Sequence, residues 1–135
     1  MNYEKSIGAI VYNHGKFLIL QYGLGHWDYV KGNVEKGETD EQVVKRELWE
    51  ETGIKNYELV PGFKEKISYF YKKEGETVMK TVVFYLLKTE EDRVRLSFEH
   101  KAYVWLEYDD ALKKVTYDNA KKVLAKAKKY LTSSD

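Results

Sequence analysis

Apolar and polar residues alternate along Ser6 to Tyr12, which puts Ile7, Ala9 and Val11 on one face. Lys16 to Tyr22 follows after a turn at Asn13-His14-Gly15, so the start of the chain predicts a β-hairpin. Glu58 to Tyr71 and Val78 to Lys88 read as two longer strands joined at Lys73-Glu74-Gly75-Glu76. Val82 to Leu87 is apolar on both faces, as suits a central strand covered from both sides. Ala102 to Leu106 predicts one more short strand. Two stretches carry the helical period instead. Thr39 with Gln42 forms a capping box, Val44 and Leu48 make an apolar edge, and Gly53 supplies the stop. Asn119 to Leu131 sets Ala120, Val123, Leu124, Ala127 and Tyr130-Leu131 on one face of a closing helix. Strands with amphipathic helices to cover them predict an α/β fold, an α/β/α sandwich around a mixed sheet.

Composition narrows the setting. With 135 residues, 43% of them apolar and 33% charged, the chain reads as one domain, 1–135, able to bury a core. It holds no apolar run of bilayer length and no basic, apolar leader at the N-terminus, so no membrane partner is expected. Cysteine is absent, which excludes disulfide and thiol chemistry and fits a cytoplasmic location. A net charge of +1 and the lack of a basic stripe argue against stable nucleic-acid binding. A monomer is expected.

The densest chemistry lies between Gly32 and Ile54, GNVEKGETDEQVVKRELWEETGI. On the helix predicted there, Glu47, Glu50 and Glu51 stand at i, i+3 and i+4, within an arc of roughly 100°. Like charges so spaced repel, and Arg46 can neutralise one of the three. A hard divalent cation with oxygen ligands, Mg²⁺ or Mn²⁺, is the natural counter-charge. Gly32 lets the backbone come close enough to offer a carbonyl to that metal, and Gly37 eases the turn into the helix.

The spacing Gly32-x5-Glu38-x7-Arg46-Glu47-Leu48-x-Glu50-Glu51-x-Gly53-Ile54 resembles the Nudix box at every defining position. That resemblance implies the Nudix fold and hydrolysis of a nucleoside diphosphate linked to a further group. Further patterns resemble the asymmetrical diadenosine tetraphosphate hydrolases of animal and archaeal type: His26-Trp27, Lys31-Gly32, Pro61-Gly62-Phe63-Lys64, Lys80-Thr81-Val82, and Ser97 to Leu106. The implied substrate is a small dinucleoside polyphosphate, cut to ATP and AMP with two or more Mg²⁺ or Mn²⁺ ions. The implied metal set is Gly32, Glu47, Glu50, Glu51 and Glu99. Lys31 and Lys80 would bind phosphate, with Lys64 or Lys66 as further candidates. Tyr69 and Tyr117 would hold the base, and His26 and His100 join the substrate-binding set. Glu47, Glu50 and Glu51 are the catalytic candidates. Glu47 is assigned the proton of the attacking water, on the argument that Arg46 orients its neighbours and leaves it free. Glu38 and Arg46 are read as a salt bridge between loop and helix. Two departures stand out: Asp28-Tyr29-Val30 replaces a pair of prolines, which puts the stiffness of that loop in question, and Asn33 replaces a histidine. The box by itself leaves open an oxidised nucleoside triphosphate, ADP-ribose or a triphosphate RNA end as substrate, and a non-catalytic nucleotide sensor as a different class.

Overall fold

The strand that organises the molecule is β1 (Asn2–Asn13), whose residues from Ser6 to Val11 are all buried. A computed structural model describes residues 1–133. The hairpin partner is β2 (Lys16–Tyr22), followed by the short β3 (Trp27–Asp28) and β4 (Val30–Asn33), helix α1 (Asp40–Thr52) and β5 (Glu58–Leu59). Next come β6 (Glu65–Lys73), β7 (Glu76–Lys88), β8 (His100–Glu107), α2 (Tyr108–Lys114) and α3 (Asp118–Ser133). All eight strands form one mixed sheet. β1 and β7 run parallel in register from Asn2↔Val78 to Tyr12↔Lys88, and the other pairings are antiparallel. β1 pairs with β2 at its end and with β4 at Ser6–Ala9, so Gly32 lies opposite Ile7 near the middle of the sheet.

Each face of the sheet carries its own core. Val43, Val44 and Leu48 of α1 pack with Ile7, Val11, Leu18, Leu20 and Leu87 on one side. On the other, Val123, Leu124 and Ala127 of α3 pack with Ile10, Phe17, Ile19, Phe84 and Leu86. This is the expected α/β/α sandwich. The closing helix and α1 follow their apolar stripes. The capping box is present at Thr39: Gln42 N–H donates to Thr39 Oγ1 (3.2 Å), and Thr39 N–H donates to Gln42 Oε1 (2.9 Å). Such a cap contributes about 1 kcal/mol. Gly53 ends the helix in the left-handed region and donates its N–H to Trp49 O.

The stretch from Glu58 to Tyr71 departs from the expected single strand. It breaks after Leu59 and resumes at Glu65, because Pro61 has no N–H to give and Gly62 turns at φ 86. The hydroxyl of Tyr130 donates to Pro61 O and would overlap a Cβ at Gly62, so this turn is moulded onto α3. Helix α2 has no capping side chain at Glu107 and no counterpart in the expected elements. Among the described residues, no helix is long and apolar enough to cross a membrane.

Candidate active site

Strand β4 and helix α1 meet where Gly32 faces Glu47. A Cβ at Gly32 would overlap the Glu47 carboxyl, so this approach requires glycine for reasons of space. The Glu47, Glu50 and Glu51 side chains open into a cleft of about 590 Å³, which Gly32, Lys31, Asn33, Tyr22, Lys80, Phe98 and Glu99 also line. The three box glutamates are not equivalent. Glu50 leaves 54% of its side chain exposed. Glu51 is only 3% exposed, and neither of its carboxyl oxygens has a hydrogen-bond partner. Burial chiefly, with the neighbouring Glu51, pushes the Glu47 carboxyl up to about 8 against the pull of Arg46. Burial also raises Glu51, to about 7, and the charges of Glu99 and Glu50 add to it. Glu47 and the Lys31 backbone oppose that rise. The two carboxyls thus hold a proton well above the usual carboxylate range.

Arg46 explains why the charges coexist. Its Nε and Nη2 donate to Glu38 at 2.7 and 2.8 Å, the loop-to-helix bridge expected from the sequence. Nη2 also reaches Asn33 O, while Nη1 donates to Glu47 Oε1 at 2.5 Å and to Glu50 Oε2 at 3.4 Å. This corrects one expectation. Arg46 does not leave Glu47 free but binds it, because the side chain folds back along its own helix. With Arg46 so placed, no group of three acidic or imidazole side chains stands ready-made for a metal among the described residues. The donor set still fits a hard cation. Glu51 presents two orphaned buried oxygens, Glu47 is cradled at Gly32, and Glu50 and Glu99 face the same cleft. Burial raises the proton affinity of both Glu47 and Glu51, and a bound cation would offset it.

His100 lies elsewhere than expected. Its side chain is 0% exposed and its Nε2 comes within 2.9 Å of Glu51 Oε1 without hydrogen-bond geometry. It therefore backs Glu51 and has no surface to offer a substrate. Burial holds its pKa below the ordinary histidine value. Lys64 and Lys66 also fall outside the cleft, in a separate groove with Tyr3 and Lys5.

A second cavity, of about 480 Å³, adjoins the cleft and brings together His26, Lys31, Tyr69 and Tyr117 with Asp28, Ile67, Phe84 and the first residues of α3. His26 stacks on Tyr22 (centroids 4.8 Å apart, 8° between planes) and tilts against Tyr117 at 5.6 Å. Since Tyr22 lines the cleft and His26 the cavity, this stack is part of the wall between them. Lys31 lines both. Burial works to lower its pKa, but the ion pair with Asp28 (3.1 Å) prevails and keeps it charged. Lys80, lowered by burial and by its basic neighbours, donates to Asn33 Oδ1, which also accepts from Ser6 Oγ.

Asp28 and Asn33, which sequence reasoning treated only as departures, thus hold the two lysines. The loop is also stiff without prolines. Asp28 Oδ1 accepts from the Tyr29 N–H, and the buried Tyr29 hydroxyl donates to Ala120 O at 2.6 Å. The signal was available in Asp28, three residues before a lysine, but it is too common a spacing to single out.

A mixed sheet between helices thus sets a carboxylate-bearing helix against a glycine strand, beside a cavity with lysine and aromatic lining. The chain belongs to the NUDIX domain family, whose model matches residues 2–127. It is a Nudix hydrolase, a pyrophosphohydrolase, and enzymes of this family generally need a divalent metal ion. It is 36% identical to the asymmetrical bis(5'-nucleosyl)-tetraphosphatase of Rattus norvegicus over 88% of this chain and 82% of that one. The corresponding tetraphosphatase of Caenorhabditis elegans is 34% identical over 94% of this chain and 96% of its own. The crystal structure of a C. elegans Ap4A hydrolase binary complex superposes with a TM-score of 0.84 at 31% identity, covering 96% of this chain and 98% of that one.

Proposed function

We propose that this protein hydrolyses diadenosine tetraphosphate asymmetrically, to ATP and AMP, as a single-domain, monomeric, metal-dependent enzyme of the cytoplasm. The observation that carries the reading is Lys31, which lines both the aromatic cavity and the carboxylate cleft. A nucleoside held at the rings therefore delivers its own phosphates to the glutamates. The tetraphosphatases quoted above act on such a substrate, and this chain parallels them over nearly its whole length.

Glu47, Glu50 and Glu51, with Glu99 and the Gly32 carbonyl, would hold Mg²⁺ or Mn²⁺, two ions or more. When bound, the metal supplies counter-charge to the bridge and acidifies the attacking water. The remaining work falls to the chain. His26, Tyr69 and Tyr117 bind the base by stacking, and Lys31 and Lys80 neutralise bridging phosphates as point charges. Glu47 takes the proton of the water. It lies against Gly32 at the mouth of the cleft, within reach of a water bound there. His100 acts behind Glu51 as a positioning residue.

The test is anion-exchange analysis of products after incubation with diadenosine tetraphosphate and Mg²⁺. Equal ATP and AMP are expected. Two ADP would mean attack at the centre of the bridge and overturn the asymmetric assignment. No turnover would move the substrate to another nucleoside diphosphate derivative.

A further inference from the structure

The aromatic cavity accounts for one base, yet a dinucleoside polyphosphate carries two. Phe98 is 97% exposed, lines the carboxylate cleft and takes no part in the aromatic cavity. It sits at the tip of the turn that presents Glu99. We propose that Phe98 is the stacking platform for the second nucleobase of the substrate, the one that the aromatic cavity does not hold. This inference rests on the dinucleotide reading above.

A single exposed phenylalanine is ordinary on a protein surface. This one differs in how its backbone is held. His100 N–H donates to Ser97 O (3.2 Å) and Glu99 N–H to Ser97 Oγ (3.3 Å), while Ser97 Oγ lies 3.1 Å from His100 Nδ1. From the turn after β2, Gly23 N–H donates to Glu99 O at 3.0 Å. Hydrogen bonds fix the turn from both sides of Phe98, and the ring is left to the solvent at the edge of an otherwise polar cleft. A platform ordered in advance loses little freedom when a base settles on it. No hydrogen-bond code is imposed, so the site tolerates any base in that position.

The experiment compares diadenosine tetraphosphate with adenosine 5'-tetraphosphate, which has the same phosphate chain and a single base. For the wild type and for Phe98→Ala and Phe98→Trp, kcat/KM is measured on both. In Phe98→Ala the ratio of two-base to one-base kcat/KM should fall roughly fivefold or more, the loss carried mainly by KM, as expected for one stacking contact. Phe98→Trp should restore the ratio. Because the ring is exposed, the truncation leaves the fold in place, and a thermal melt verifies this. An unchanged ratio, or an equal loss on both substrates, would overturn the platform while the dinucleotide reading stands. Wild-type protein that fails to cut diadenosine tetraphosphate at all would overturn that reading, and the platform with it.

Discussion

The carboxylate cleft and the aromatic cavity share Lys31 and little else. The cleft is a place of unresolved charge. Glu51 is buried without a hydrogen-bond partner, Glu47 and Glu51 compete for a proton, and one arginine spans four carboxylates. The cavity is settled. Its buried acid is paired to Lys31, and its rings His26 and Tyr117 lie 5.6 Å apart. A site that is to bind a cation must keep its ligands under-satisfied, because a satisfied ligand set would compete with the ion. A site that is to bind a neutral ring needs only shape and a dry surface. The contrast therefore separates the chemistry from the grip.

Substitutions on either side should break the comparison in opposite ways. The largest effect is expected for Glu51→Gln. Losing one carboxylate of the proposed metal set should lower kcat/KM by about 10²–10³-fold, chiefly in kcat. The same change removes a buried carboxyl that accepts no hydrogen bond, so the melting temperature without metal should rise. Activity near the wild-type level would sink the metal assignment. Tyr117→Ala is the smaller counterpart. Half of Tyr117 is already in solvent, at 53% exposure, so the fold should not notice the loss. KM for the nucleotide should rise roughly fivefold or more with kcat nearly kept, the mark of lost uniform binding. A fall confined to kcat would mean that the cavity shapes the chemical step.

How much of this was legible in the sequence also divides along the same line. The cleft lies mostly on one contiguous motif, and helical geometry alone puts Glu47, Glu50 and Glu51 on one side. Gly32 was legible as a close approach, though not that the approach is to Glu47. The cavity collects His26, Lys31, Tyr69, Tyr117 and Asp118 from separate elements, a gathering that depends on the parallel pairing of β1 with β7 and on how α3 crosses the sheet. No local pattern encodes that, and only likeness to a known family suggested it. Arg46 and His100 show the limit at finer scale. Each is in a recognised pattern, yet the rotamer that turns Arg46 onto Glu47 and the burial that hides His100 behind Glu51 are decided by packing. In the fold itself, the long strand 58–71 failed where Pro61-Gly62 outweighs the strand propensity around it.

The mildest effect is also the most direct test of the contrast, because it needs no substrate. Glu47 and Glu51 titrate near 8 and 7 in the folded protein, against about 4.5 when unfolded. A carboxyl whose folded pKa is raised contributes stability that is complete below the unfolded value and is lost as pH rises through the folded one. Without metal, the protein should therefore lose stability between about pH 4.5 and pH 8, a fall of roughly 3 °C or more in Tm. On the proposed metal assignment Mg²⁺ would compete with those protons, so the gain in Tm that it gives should grow across the same window and release protons on binding. Glu51→Gln should flatten both curves, whereas Tyr117→Ala should leave them as they are. A metal-free melting temperature independent of pH over that range would mean that the two carboxyls are ionised in the apo protein, and that the cleft is as settled as the cavity beside it.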